Sequence, residues 1–104
     1  MKLYHTTDAA EAILANGFRD SSGSYGLVDA QERPFMLTGV FVSDQIMSIN
    51  EGATGEDVVE VIITDDFDLD SWELIEEGKP YREWCVPAEL LNRFSRRLLT
   101  DEEI

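Results

Sequence analysis

The sequence predicts an α+β fold in which two or three short helices pack on a mostly antiparallel β-sheet. Three observations carry this. Short apolar runs with strand character recur along the chain, the helical segments between them are brief, and no repeat, linker or second domain interrupts them. At 104 residues the chain has the size of one domain, spanning 1–104, whose core needs no disulfide or metal staple. Its composition, 43% apolar with five Phe, three Tyr and two Trp, supplies that core and argues against intrinsic disorder.

Lys2-Leu-Tyr-His-Thr6 reads as a first strand. Asp8 with Glu11 three residues on has capping-box spacing and predicts a helix start. Ala9, Ala12 and Ile13 fall on one face of that helix, and Asn16-Gly17 stops it. From Asp20 to Thr38 the chain carries Ser21, Ser22, Gly23, Ser24, Gly26 and Pro34 with little periodicity, which predicts a long loop. A loop of that length in a small domain is usually functional or mobile. Gly39 to Ser43 is a short apolar strand, Asp44 to Asn50 a helix, and Glu51 to Glu56 a turn with two glycines.

Asp57 to Thr64 holds Val58, Val59, Val61, Ile62 and Ile63, a β-branched run typical of a strand buried on both faces. Asp65 to Asp70 is an acidic turn. Ser71 to Glu77 predicts a short helix, broken by Gly78-Lys-Pro80. Tyr81 to Val86 reads as a strand, Pro87 to Leu91 as one helical turn, and Arg93 to Leu99 as the last strand.

The single cysteine, Cys85, forms no intrachain disulfide, and neither a secretory leader nor an apolar stretch long enough to span a bilayer is present. A cytoplasmic protein without membrane contact is therefore expected. The 22 acidic residues against 8 basic give a net charge of −14. Such a surface repels nucleic-acid phosphates and attracts basic partners. It is also what a solvated, solubility-promoting surface looks like.

Three segments, in order, resemble the H-Y-E signature of the diphtheria-toxin-like branch of the ADP-ribosyltransferases, which includes the poly(ADP-ribose) polymerases. Leu3-Tyr-His-Thr-Thr7, followed by Ala12-Ile-Leu-Ala-Asn-Gly-Phe18, is similar to the family's first strand and helix. Gly39-Val-Phe-Val-Ser-Asp44 resembles the Gly-Ile-Tyr-Phe-Ala-Asp strand. Arg82-Glu-Trp-Cys-Val86, followed by Pro87-Ala-Glu-Leu-Leu91, is similar to the segment that carries the catalytic glutamate, and Val59-Glu-Val61 resembles a further core strand. The sequence departs from the pattern in three places. Thr6 replaces a glycine, Phe41 replaces a tyrosine, and no second aromatic follows Phe41 where many members stack one on nicotinamide.

The resemblance implies a split antiparallel sheet and an NAD-dependent transfer of ADP-ribose with release of nicotinamide. It implies that Glu83 bonds the ribose 2′-hydroxyl and stabilises the cationic ribose, that His5 bonds the adenosine-side ribose, and that Phe41 stacks on nicotinamide. Thr6 would bond the carboxamide through its backbone, and Ser48, one residue off the family's serine, would do so through its hydroxyl. Breaking the bond between nicotinamide and ribose builds positive charge, and a nearby carboxylate meets that need. Tyr25, on the long loop, is placed to cover the adenosine half of NAD.

Other constellations compete. Asp66, Asp68, Asp70 and Glu77 match positions 1, 3, 5 and 12 of a calcium loop, but Ser71 stands where its glycine should be. Cys85 with His5 has the residue types of a cysteine nucleophile and its base, although a cysteine in an apolar strand usually only packs. Arg93, Arg96 and Arg97 form a small basic cluster, either a phosphate contact or a solvated face. The expected acceptor is a protein side chain or a small molecule, with a basic protein favoured over nucleic acid by charge. The alternative is a non-catalytic acidic binding protein, an inactive relative of the family or a nucleic-acid mimic.

Overall fold

The computed structural model describes residues 1–23, 37–46, 57–74, 78 and 80–104. Strand β1 (Lys2–Thr7) leads into helix α1 (Ala10–Asn16), which ends at Gly17. Strand β2 (Ser21–Gly23) follows, then β3 (Leu37–Ser43) and β4 (Asp57–Ile62). A 3-10 turn (Asp70–Trp72) precedes β5 (Glu73–Leu74) and β6 (Glu83–Val86). Helix α2 (Ala88–Leu91), β7 (Ser95–Leu98) and a 3-10 turn (Asp101–Glu103) complete the chain.

Seven strands form one sheet in the order β5-β6-β3-β1-β4-β7, with β2 beside β3, and every pairing is antiparallel. The fold class is therefore α+β with a mostly antiparallel sheet. β1 and β4 pair along their full length, from Lys2↔Ile62 to Thr7↔Asp57. β1 and β3 share one pair, Tyr4↔Ser43. His5 does not pair with Val42 nor Thr6 with Phe41, so the sheet opens between β1 and β3 just past that point.

Side chains alternate across a strand and registered partners share a face. One face carries Leu3, Val40, Val42, Val59, Val61, Trp84 and Val86, all in the core, and packs against Ala10, Ile13 and Phe18 on one side and Ala88 and Leu91 on the other. The opposite face carries a transverse row in register, Leu74, Glu83, Ser43, Tyr4, Glu60 and Arg97. The β-branched run of β4 explains why it is buried on both faces: Val59 and Val61 enter the core while Val58 and Glu60 fill the other side.

Several local expectations are corrected. The Asp8–Glu11 capping box does not form, because β1 continues to Thr7, whose Oγ1 accepts the Ala9 N–H at 2.9 Å and delays the helix by one residue. The buried face is consequently Ala10 and Ile13, with Ala9 and Ala12 exposed. Ser21–Gly23, expected as loop, is a strand because β3 begins two residues early at Leu37 and offers it a partner. The helix expected from Ser71 to Glu77 is cut short: a 3-10 turn covers Ser71 and stops at Trp72, and Glu73 and Leu74 form a strand, Glu73 pairing with Trp84, while residues 75–77 lie outside the described region. Asp44 and Gln45 form a bend rather than a helix start, and residues 47–50 lie outside the described region.

Candidate active site

The three motif strands β1, β3 and β6 are consecutive neighbours in the sheet, which brings together residues far apart in the chain. Across the opening, the His5 ring reaches the Phe41 backbone: Nδ1 lies 2.7 Å from the Phe41 carbonyl oxygen. A carbonyl only accepts, so Nδ1 carries the proton. Burial lowers the pKa of the ring, and its edge meets Phe18 at 5.6 Å between centroids. His5 is thus neutral near pH 7, with Nε2 an acceptor that has no hydrogen-bond partner among the described residues.

Phe41, half-buried, and Ser43 project from β3 on the same face, opposite Cys85 and Glu83 of β6. Glu83 is 4% exposed and Ser43 3% exposed. Desolvation pushes the Glu83 carboxyl up to about 7. A carboxylate so placed titrates near neutrality and sits where perturbed groups commonly serve chemistry. Beside this pair, Gly39 leaves room for β6, since a Cβ there would stand 2.8 Å from Cys85 Sγ and 3.1 Å from the Val86 carbonyl oxygen. Thr6 and Tyr4 leave β1 on the Glu83 face, whereas His5 leaves it on the face of Leu3.

Glu83, Phe41 and Thr6 therefore share one side of the sheet, and His5 meets them only through the opening between β1 and β3. Tyr25 and Ser48 lie outside the described residues. Sequence reasoning missed Tyr4 and Ser43, which the Tyr4↔Ser43 pair sets beside Glu83. Their signal was present as the neighbours of His5 and Phe41 within the motifs, yet only the register assigns them a side. It also missed Glu60, 3% exposed and bonded to Arg97 at 3.1 Å.

The competing constellations separate. Cys85 is buried, desolvation and the charge of Asp20 push its thiol pKa up, and its side chain leaves the sheet opposite to His5, so it is no paired nucleophile. Arg93, Arg96 and Arg97 do not form a basic patch. Arg93 lies 3.8 Å from Glu89, Arg96 donates to the Ile13 carbonyl at 2.9 Å, and Arg97 pairs with Glu60 and Glu103. Among the described residues no group of three or more His, Cys, Asp or Glu side chains is arranged to hold a metal ion, and Glu77 is outside them. Nor is any described helix long and apolar enough to cross a membrane.

The fold and site define a small α+β domain with a buried, near-neutral glutamate beside an opening in its sheet. No family model, curated protein or solved structure matches the chain.

Proposed function

We propose that this chain is an NAD-dependent ADP-ribosyltransferase of the H-Y-E type, moving ADP-ribose to a protein or small-molecule acceptor and releasing nicotinamide. The observation that carries the reading is the meeting of its three motif strands at the opening between β1 and β3, with His5 contributed from one side and Phe41 and Glu83 from the other. NAD is long enough to use both. Its adenosine ribose hydroxyl donates to His5 Nε2, and its nicotinamide half lies on the Glu83 face against Phe41. Tyr4 shares that face and offers the second ring that the motif lacks after Phe41.

Ionised Glu83 accepts from the ribose 2′-hydroxyl and stabilises the positive charge that grows as the bond to nicotinamide breaks, in a site whose burial strengthens that interaction. The leaving nicotinamide departs neutral as its bond to the ribose carbon breaks, and the acceptor's nucleophile bonds to the same carbon and releases its proton to solvent. Calorimetric titration with NAD, together with nicotinamide release by the wild type and by Glu83→Gln, tests this. Binding with release that falls by at least about a hundredfold in the variant is expected, the scale on which loss of an electrostatic stabiliser acts. No NAD binding rejects the reading.

A non-catalytic acidic binding protein is favoured by one observation, the departure of His5 and Glu83 from opposite faces of the sheet. Under that reading NAD does not bind and the −14 charge recognises a basic partner.

A further inference from the structure

β3 and β6 pair in register from Val40↔Val86 to Ser43↔Glu83, so the next rung of the ladder falls on Asp44 and Arg82. In a hydrogen-bonded antiparallel pair the two residues exchange both main-chain bonds. Here the main chain makes only one of them: the Asp44 N–H donates to the Arg82 carbonyl at 3.1 Å. The return bond runs from the Arg82 N–H to a side-chain oxygen, Asp44 Oδ1, at 2.9 Å. The chain bends at Asp44 and Gln45, and the carboxylate stands in for the carbonyl that the bend withdraws. Ser43 Oγ closes the bend on the Gln45 carbonyl at 2.5 Å, and Gln45 Nε2 donates to the Pro80 carbonyl at 3.4 Å.

We propose that Asp44 is a positioning residue for Glu83: its amide and carboxylate grip both main-chain groups of Arg82 and so fix the residue that follows. Glu83 is the first residue of β6, and strand β5 on its other side is two residues long, so little of the sheet holds this end. Arg82 is held from both directions, its main chain by Asp44 and its guanidinium by Glu73 at 2.6 and 3.0 Å. Strand ends open locally at low cost unless they are tied. An opening here would admit water to a carboxyl that burial has pushed up to about 7.

Ser43 and Leu74 pair with Glu83 and Tyr4 pairs with Ser43, none of them charged, and the charged members of that row, Glu60 and Arg97, bond to each other. The catalytic consequence of the grip rests on the reading of Glu83 as the group that meets the ribose. A reacting group misplaced by about 1 Å loses on the order of a hundredfold in rate.

The test compares Asp44→Asn, which keeps the acceptor oxygen and loses the charge, with Asp44→Ala, which loses both. The Glu83 carboxyl is followed by ¹³C NMR as pH is varied. Hydrogen exchange of the Arg82 amide is followed against that of Leu99, which donates to Val58 at 2.9 Å at the far side of the sheet. In Asp44→Ala the Glu83 midpoint should fall by at least about one unit and the Arg82 amide should exchange at least about tenfold faster, with Leu99 unchanged. In Asp44→Asn both should stay at wild-type values. At about pH 9, where Glu83 is ionised throughout, kcat for nicotinamide release should fall at least about tenfold in Asp44→Ala at unchanged KM for NAD, and less than about twofold in Asp44→Asn. If Asp44→Ala does not fold, Asp44→Glu, which keeps the charge and displaces the acceptor by one methylene, takes its place and should shift in the same directions. Equal shifts in the asparagine and alanine variants would reduce the effect to charge and overturn the positioning role, as would a Glu83 midpoint unmoved in Asp44→Ala. A wild type that releases no nicotinamide rejects ADP-ribosyl transfer instead, and the titration and the exchange still decide whether Asp44 holds Glu83.

Discussion

Burial raises Glu83 to about 7 from an ordinary 4.5, and this shift has opposite consequences for activity and for stability. The ionised form is the one that stabilises the ribose cation, so nicotinamide release should rise with pH through an inflection near 7 and level off above it. A pH profile of initial rates checks this, and Glu83→Gln should be low and flat. For stability, the folded protein holds the proton in a range where the unfolded chain has lost it. Glu83 therefore costs nothing below about 4.5 and destabilises progressively as pH climbs to about 7. Glu83→Gln should unfold at higher denaturant than the wild type at pH 8, by up to roughly 3 kcal/mol, with the difference gone at pH 4. Phe41→Tyr should cost under about 1 kcal/mol, because the ring is half-buried; a loss of about 1–3 kcal/mol would place it in an overpacked core.

At the scale of elements, the join between α1 and α2 rests on Gly17 and Asn92. Gly17 has φ +91°, which L side chains rarely adopt, and a Cβ there would stand 2.9 Å from Asn92 Oδ1. That side chain clamps the Phe18 backbone, accepting its N–H at 2.7 Å and donating to its carbonyl at 3.0 Å. Gly17→Ala should therefore destabilise by about 1–3 kcal/mol, read as a lower denaturant midpoint at unchanged slope. The helix stop at Asn16-Gly17 was legible because it is local chemistry. Its clamp from Asn92, 74 residues away, was not. The start of α1 misled for the same reason: the Asp8–Glu11 spacing is a valid cap, but the pairing of Thr7 with Asp57 carries the strand past the point where that cap would act.

For the whole molecule, the net charge of −14 means self-repulsion outweighs the solvent-screened ion pairs, Arg82 with Glu73 and Arg97 with Glu103, which contribute little. Raising salt from about 0.01 to about 0.15 M shortens the screening length and should raise the melting temperature. An increase of several degrees is expected, about 4–8 °C per kcal/mol for a domain of this size. A melting temperature that falls instead would put the ion pairs in control. The Arg97–Glu103 pair has its own signature. Arg97 holds the Glu103 carboxyl down at about 2, so its stabilisation is present above about 4.5 and fades as pH falls toward 2.

The sequence by itself determined what depends on near neighbours and on composition: an α+β domain, the β-branched strand β4, the helix stop at Gly17, the acidic surface, and the strands that carry His5, Phe41 and Glu83. The tertiary structure alone decided which strands lie side by side, that the sheet opens after Tyr4↔Ser43, and which face each side chain takes. It also decided that Arg93, Arg96 and Arg97 are spent on separate partners rather than gathered into a phosphate site. The physical reason is that strand periodicity gives alternation but no sign. Only cross-strand pairing sets Glu83 beside Ser43 and Tyr4, and turns its carboxyl into one that titrates near neutrality.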